Sequence, residues 1–448
     1  MRTRSPGAGG HEVLGYYLNL ALRSLRRNPA LTALMIIAIG VGIGASMTTL
    51  TVFRAMAADP IADHATQFFA PQIDAWGLGP NGPNPDHLSG LLTYIDATAL
   101  MRARAGERQT ALYKTKFAVR PPQSQLPPLR AGARAAYADF FRMFDVPFRY
   151  GGPWSSADDQ EHVPVVVLSH ELNDRLFGGA NSVGRVLRLD EREFRIVGVL
   201  AHWDPVPRYY DPQDAFGGTP EDVFLPFTAA IDLHKHSSEG GPCVALTPPG
   251  WDGLLRSDCT WLQFWVELPT RTDVARYRAY LTDYAAEQQR IGRFHWPPHV
   301  QLRNVRQWLV YQHVVSNESR ILVLVSFSFL LVCLLNAMGL MLARIMRRAG
   351  EIGVRRALGA GRAVVFAQCL IEAAVIGVAG ALLGLALTAL GLAALRALLG
   401  SDMRVLSHMD PADMLMTVAV AIVATILAGL YPTWRATRVQ PAWQLKAQ

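Results

Sequence analysis

Apolar and charged positions are spread unevenly along the 448 residues. Four stretches carry no charged side chain for about the 20 residues that a helix needs to cross a bilayer. They are Asn28–Phe53, Ile321–Ala343, Ala373–Leu395 and Met414–Trp434, each bounded by a charge. One such run would suit a buried core helix; four, three of them crowded toward the C-terminus, predict membrane spans. Ala55-Met56-Ala57 has the small-x-small look of a signal cleavage site. A signal core, however, holds roughly 7–15 apolar residues, and the first run is far longer, so it reads as a retained span.

Between the first and second runs the pattern changes to mixed α/β. Val163–Leu168 is a β-branched run followed by a helix that Gly178-Gly179 stops, and "VLRLDEREFRIVGVL" reads as a hairpin of Val186–Leu189 and Phe194–Leu200. In "WLQFWVELP" alternation puts Leu262, Phe264, Val266 and Leu268 on one face. Val274, Tyr277, Leu281 and Tyr284 then recur at helical spacing, while "GLGPNGPNPD" and "PPQSQLPPL" are loops by composition. Before the first span, Leu14, Leu18, Ala21 and Leu25 form one apolar stripe beside Arg23, Arg26 and Arg27. That helix suits the inner leaflet interface.

The predicted fold is an integral membrane α-helical protein of four transmembrane helices, with a large α/β extracytoplasmic domain inserted between helices 1 and 2. Its parts are an amphipathic cytoplasmic helix (1–27), span one (28–57) and an outer core domain (58–315) of two lobes, the middle lobe being about 152–258. There follow span two (316–343), a cytoplasmic coupling helix (344–372), span three (373–395), a short outer loop (396–413), span four (414–434) and a tail (435–448).

Charge sets the orientation. Arginines cluster before span one, between spans two and three, and after span four, which places these edges in the cytoplasm by the positive-inside rule. The segment from Ala58 to Val315 holds 25 Lys+Arg against 29 Asp+Glu, a net of −4, so the overall excess of 43 basic over 36 acidic residues comes from the membrane edges. Nucleic acid is therefore not the partner that the basic balance implies; membrane lipid is.

Four cysteines are present. Cys243 and Cys259 lie in the outer domain, an oxidising compartment in this topology, and flank the loop "VALTPPGWDGLLRSD". A disulfide is expected there, stabilising by about 3 kcal/mol for a loop of this size. Gly40 and Gly44 in span one, and Gly380 and Gly384 in span three, have the four-residue spacing that lets membrane helices approach closely. Asn336, the strongly polar side chain deep in span two, suits an interhelical hydrogen bond, and Glu372 suits the N-terminus of span three.

Catalytic patterns are absent. The chain has no G-x-x-x-x-G-K-[ST] phosphate loop, no G-x-S-x-G, no H-E-x-x-H and no pair of C-x-x-C motifs. Ser169-His170-Glu171 reads as a strand-to-helix junction, His234-x-His236 as a solvated loop, and Asp158, Asp159 and Glu161 as an acidic patch with a weak claim on calcium. No catalytic or metal residue is predicted, and no span carries a charge at mid-depth of the kind ion-coupled carriers use.

One stretch remains, "RRAGEIGVRRALGAGR" from Arg347 to Arg362, a cationic amphipathic helix set between two spans. Ile352, Leu358 and Val365 are expected on one side, Arg355, Arg356 and Arg362 on the other, with Gly359 and Gly361 as a stop. One span, a large outer domain and three further spans, with "EIGVRRALGAGR" after the second, resemble the MacB/FtsX-like permeases of ABC transporters. "ALRSLRRNPALTALMIIAIGVGIGA", "VPVVVLSHELNDRLFGG", "VGRVLRLDEREFRIVGVL" and "YPTWRATRVQPAWQLK" are similar to the family's first span, extracytoplasmic core and tail. The likeness is weak from Asp204 to Thr260.

The resemblance implies a dimeric, non-catalytic inner-membrane permease, both termini cytoplasmic and the large domain periplasmic. It implies as partners a separate ABC ATPase dimer, a second permease copy or a homologous permease, and a periplasmic adaptor as a further candidate. ATP and magnesium would be bound by the ATPase, with no cofactor in this chain. Coupling to the ATPase falls to Glu351, Ile352, Gly353, Val354, Arg355, Arg356, Ala357, Leu358 and Gly359. The expected activity is ATP-driven motion of the periplasmic domain for export or extraction of substrate. The alternative is a mechanotransmitter that regulates a cell-wall hydrolase or a sensor without moving cargo.

Overall fold

In the computed structural model the chain divides into two compact units, residues 58–314 and residues 1–57 with 315–448. The structure describes residues 28–56, 66–76, 88–120, 128–205, 207–211, 214, 221–243, 249–314, 317–348 and 361–399, with single positions within 350–359 and 415–429.

The unit formed by residues 58–314 is built on one sheet, in the order β11-β1-β10-β3-β4-β9-β6-β8-β5. These strands are β1 Phe68–Ile73, β3 Arg108–Arg120, β4 Leu129–Ala136, β5 Phe148–Gly151, β6 Val165–Leu168, β8 Arg192–Leu200, β9 Glu221–Pro226, β10 Thr260–Glu267 and β11 Val300–Asn304. β2 (Leu92–Thr93) adds to β10, and β7 (Val186–Leu189) bridges β3 and β8. Most neighbours are antiparallel; β4–β9 and β6–β8 are parallel.

Residues 152–258 do not stand apart as a middle lobe. β6, β7, β8 and β9 continue the sheet of β3, β4 and β10. What divides the core is the sheet itself. Val166, Leu168, Val223, Leu225, Phe264 and Val266 belong to one hydrophobic cluster, while Val165, Val167, Phe224 and Trp265 belong to another. Period-two alternation places successive residues on opposite faces. All eight residues of β10 are therefore buried, including Trp261, Gln263 and Trp265, which the sequence pattern left outside. A central strand covered on both faces has no polar side to display.

Helices cap the sheet. Thr93 caps α2 (Tyr94–Ala103) by accepting from the Asp96 amide at 3.1 Å. Ser155 and Asp158 form a capping box on α4 (Ser156–Gln160), after α3 (Asp139–Met143). Ser169 caps α5 (His170–Phe177), which Gly178 ends at φ 62°. α6 (Phe227–Asp232) and α7 (Trp251–Arg256) precede α8 (Arg271–Arg290), whose stripe buries Tyr277 and Leu281. Arg293, just beyond α8, donates to Asp96 and Thr93 and so ties the end of α8 to the start of α2. α9 (Val305–Tyr311) closes this unit.

The other unit contains α1 (Pro29–Met56), α10 (Asn317–Arg347) and α11 (Arg362–Leu399). Three segments of these helices, Pro29–Met56, Glu318–Arg347 and Ala363–Leu395, are long and apolar enough to cross a membrane. The helices outrun the charge-free stretches, because a charged residue limits an apolar run without breaking a helix. The expected fourth span and the N-terminal helix lie largely or wholly outside the described residues; the described positions at 415–429 are helical.

Candidate functional site

The contact between α1 and α11 follows from four glycines. A methyl group on Gly40 would come within 2.8 Å of Leu383, and one on Gly44 within 2.7 Å of Leu387. Reciprocally, Gly380 faces Ile39 and Gly384 faces Ile43, each at 2.7 Å. The two glycine pairs thus form one reciprocal surface, each receiving the aliphatic side chains of the other helix. The Thr388 hydroxyl donates to the Gly384 carbonyl at 2.9 Å and reaches the Gly44 carbonyl at 3.5 Å. α10 packs on another side of α1, where Gly42 meets Leu330 and Cys333 and the Ser46 hydroxyl donates to the Ser326 carbonyl at 2.7 Å. Asn336, expected to bridge helices, is exposed on α10. Between α1 and its neighbours α10 and α11 the described polar bridges are the Ser46 and Thr388 hydroxyls, short enough to reach a carbonyl at close approach.

Beyond α10, Gly350, Glu351, Gly353 and Val354 are helical, and the Leu358 amide donates to the Val354 carbonyl at 3.0 Å. Gly359 ends this turn at φ 99°. Val354 is 60% and Leu358 84% exposed, both apolar. Ile352, Arg355, Arg356 and Ala357 lie outside the described residues. Val365 does not continue the Leu358 face, for it is 6% exposed. The break at Gly359 starts a new helix, so periodicity does not carry across it.

Glu372 is also placed differently from its sequence reading. It lies well inside α11, which begins at Arg362, so it cannot serve a helix N-terminus. It pairs instead with Arg348 at 3.4 Å and Arg344 at 3.9 Å. The signal available in the sequence was the four-residue spacing of the two arginines, which puts them on one face.

In the sheet unit Cys243 and Cys259 are joined by a disulfide, with Cα atoms 4.1 Å apart. Asp158 and Asp159 do not form an open acidic patch. Asp158 serves the capping box, and buried Asp159 accepts from the Ala138 amide at 2.8 Å and Trp154 Nε1 at 2.9 Å. Burial pushes the Asp159 carboxyl up to about 7. His234 stacks on Trp251 and His236 meets the same ring edge-on.

No local pattern points to the buried ionic centre around Arg134, which is fully buried on β4. Its Nε donates to Glu221 Oε1 at 2.9 Å, and its Nη2 bonds both Asp211 and Glu221. Tyr210 donates to Glu221 at 3.1 Å, and Gln263 Nε2 donates to Asp211 at 3.0 Å and to Glu239 at 3.3 Å. Lys114 pairs with Asp214, which also receives Arg208 at 3.5 Å. Desolvation, with the nearby Asp211 charge, raises the Glu239 carboxyl to about 7. Oxygens of Asp211, Asp214 and Glu239 lie within 4.8 Å of one another, a spacing that suits a cation. Here the protein's own Lys114, Arg134 and Arg208 supply the positive charge.

Three long apolar helices and an extramembrane α/β domain define a multi-pass membrane protein with a large inserted domain. Residues 32–284 match the MacB-like periplasmic core domain, and residues 323–441 the FtsX-like permease C-terminal domain. The chain belongs to the MacB/FtsX-like permease family of ABC transporters, inner-membrane proteins with a periplasmic domain. It is 24% identical over 441 residues to the pyoverdine export ATP-binding/permease protein PvdT of Pseudomonas fluorescens, covering 96% of this chain and 59% of that protein. It is 27% identical over 460 residues to the macrolide export ATP-binding/permease protein MacB of Rhodospirillum rubrum, covering 99% of this chain and 63% of that protein. The chain therefore spans about three fifths of the length of these relatives. The crystal structure of the periplasmic region of MacB from Actinobacillus actinomycetemcomitans aligns with a TM-score of 0.34 at 13% identity, covering 56% of this chain and 94% of that one.

Proposed function

We propose that this chain is the non-catalytic permease subunit of a MacB-type ABC system. A separate ATPase dimer binds ATP and magnesium and moves the turn between α10 and α11. Two permease copies, this chain twice or with a homologue, carry that motion to their periplasmic domains, which export or extract cargo, with a periplasmic adaptor as a further partner. The observation that carries this reading is the pair of apolar side chains displayed on the turn, Val354 and Leu358, at 60% and 84% exposure. Apolar anchors of this kind dominate small protein interfaces. The unbroken helix from Asn317 to Arg347 offers a stiff lever leading to them. In this reading both termini and the turn are cytoplasmic. Glu351, Ile352, Gly353, Val354, Arg355, Arg356, Ala357, Leu358 and Gly359 form the coupling knob, the arginines pairing with acidic groups of the ATPase.

The test is ATP hydrolysis by the reconstituted complex, together with capture of the ATPase. Leu358→Asp places an unpaired charge in the contact, which costs about 3–5 kcal/mol where it is fully buried. The variant inserts normally, because the change lies outside the spans, but loses both ATPase capture and stimulated hydrolysis. If Leu358→Asp combined with Arg355→Glu leaves both intact, the turn serves topology alone and coupling lies elsewhere.

A further inference from the structure

We propose that a cleft beside α2 in the sheet unit is a binding site for a small zwitterionic aromatic molecule of short-peptide size. The proposal deepens the transport reading by giving it a ligand class, and its role as a cargo site rests on that reading. The cleft measures about 780 Å³ and runs between α2, the start of β3 and the segment joining β4 to α4. Small-molecule sites occupy roughly 300–1,000 Å³, so the space is ample for a ligand of that size.

Three kinds of group converge on it. The first is an aromatic platform. Tyr94 and Tyr137 line the cleft, and each lies nearly parallel to Phe227, at 6.3 Å and 11° for Tyr94 and 5.2 Å and 19° for Tyr137. Phe227 is 1% exposed and packs against both rings. Burial raises both tyrosine hydroxyls, so the platform stays uncharged. A planar apolar group stacks on such rings.

The second is a carboxylate pair on the inner wall. Asp159 is 4% exposed and spends both oxygens on protein donors. Asp139 Oδ2 accepts from the Gln109 amide at 3.3 Å, while no protein donor among the described residues reaches its Oδ1. That oxygen is the group that would take an ammonium. The third is a basic rim. Arg102 and Arg104 are exposed and make no ion pair among the described residues. Arg104 stands at φ 48°, a conformation that favours glycine, where a cationic side chain instead marks the mouth of the cleft. A ligand with its ring on the tyrosines, an amine toward Asp139 and a carboxylate toward Arg102 and Arg104 satisfies all three.

The experiment is isothermal titration of the full-length protein in lipid nanodiscs with the tripeptide Trp-Gly-Gly, its N-acetyl form and its C-terminal amide, without nucleotide or ATPase. Trp-Gly-Gly binds, and blocking either terminus weakens binding at least about tenfold, equivalent to about 1.4 kcal/mol. Tyr94→Leu weakens all three peptides together. Arg102→Gln with Arg104→Gln removes the penalty of amidation but not that of acetylation; Asp139→Asn does the reverse. The arginine pair is exposed, so the outcome stands even if Asp139→Asn impairs folding. No binding of any peptide at millimolar concentration, or equal binding of all three that the double arginine variant leaves unchanged, overturns the proposal. Because the titration contains no ATPase, failure of coupling at Leu358 and failure of the cleft are read separately.

Discussion

The α1–α11 contact and the Arg134 centre are both buried, and they are built from opposite materials. Between the helices, glycine meets isoleucine and leucine, and the polar contacts are hydroxyls on nearby carbonyls. Within the sheet, a guanidinium meets two carboxylates among aromatic rings. The contrast follows from solvent. Lipid tails are as apolar as leucine, so helices in a bilayer gain by close approach rather than by hiding apolar surface. The periplasmic domain gains from hiding it, on both faces of a wide sheet, and that surplus offsets the desolvation of buried charges. In the membrane unit the described ion pairs join Arg344 and Arg348, at the end of α10, to Glu372 within α11.

The strongest way to break this contrast is Arg134→Met. It leaves Asp211 and Glu221 without their cation, and losing one member of a buried ion pair costs about 3–5 kcal/mol. Urea unfolding of the detergent-solubilised chain, followed by tryptophan fluorescence, measures it. Adding Asp211→Asn and Glu221→Gln removes the stranded charges and recovers most of the loss. An Arg134→Met protein as stable as the parent would mean that the centre is wet, and the contrast with the helices would fail.

Two carboxyls of the sheet unit, Asp159 beside Trp154 and Glu239 at the edge of the Arg134 centre, predict a pH slope. Asp159 and Glu239 rise in the fold from their ordinary 3.8 and 4.5 to about 7. The folded state then holds protons that the unfolded chain releases. Their contribution is complete below about pH 4, declines as pH rises, and is lost above about 7. Periplasmic-domain stability should fall between pH 5 and 8 by roughly 1–2 kcal/mol, after allowance for partial solvent access. Glu239→Gln should flatten that slope. A slope of the opposite sign would exclude proton retention in the fold.

How far these regions could be read in advance differs for the same physical reason. The glycine spacing in spans one and three is a local pattern, and so are the β6–α5 junction, the β7–β8 hairpin and the α8 stripe. Each is set by neighbours within a few turns. Arg134, Asp211, Glu221 and Gln263 come from four separate segments, and nothing local distinguishes Arg134 from an exposed strand arginine. β10 reads as half-polar by alternation, yet Trp265 and Gln263 are buried because other segments return to cover them. Glu372 borders the apolar run and so reads as a helix start, whereas α11 begins ten residues earlier, at Arg362, because charged residues do not break a helix.

A smaller effect than that of Arg134→Met is expected from Gly384→Leu. The added side chain meets Ile43 Cγ2 within 2.7 Å and the Gly40 carbonyl within 3.3 Å at its first carbon alone. α1 and α11 must separate, at about 1–3 kcal/mol for an overpacked site. Thermal unfolding in detergent should drop accordingly, and Gly339→Leu, where no atom lies within 4 Å, should not change it. Equal effects at both positions would remove the glycine surface from the argument.

The smallest effect belongs to Glu372→Gln, and salt dependence makes it decisive. The two pairs are long, at 3.4 and 3.9 Å, and the Glu372 side chain is 13% exposed. Arg348 is 20% exposed, so water and ions reach this end of the bundle. Glutamine keeps the shape and an acceptor oxygen while removing the charge. A partly exposed pair of this kind contributes at most about 1 kcal/mol. Screening length falls from about 10 Å at 0.1 M salt to about 3 Å at 1 M. The difference in melting temperature between Glu372→Gln and the parent should therefore shrink as salt is raised. The Gly384→Leu difference should not, because excluded volume is indifferent to ions. If the Glu372→Gln penalty is unchanged at 1 M salt, the carboxylate is sealed from solvent, and the membrane unit then holds a buried charge of the same kind as the periplasmic sheet.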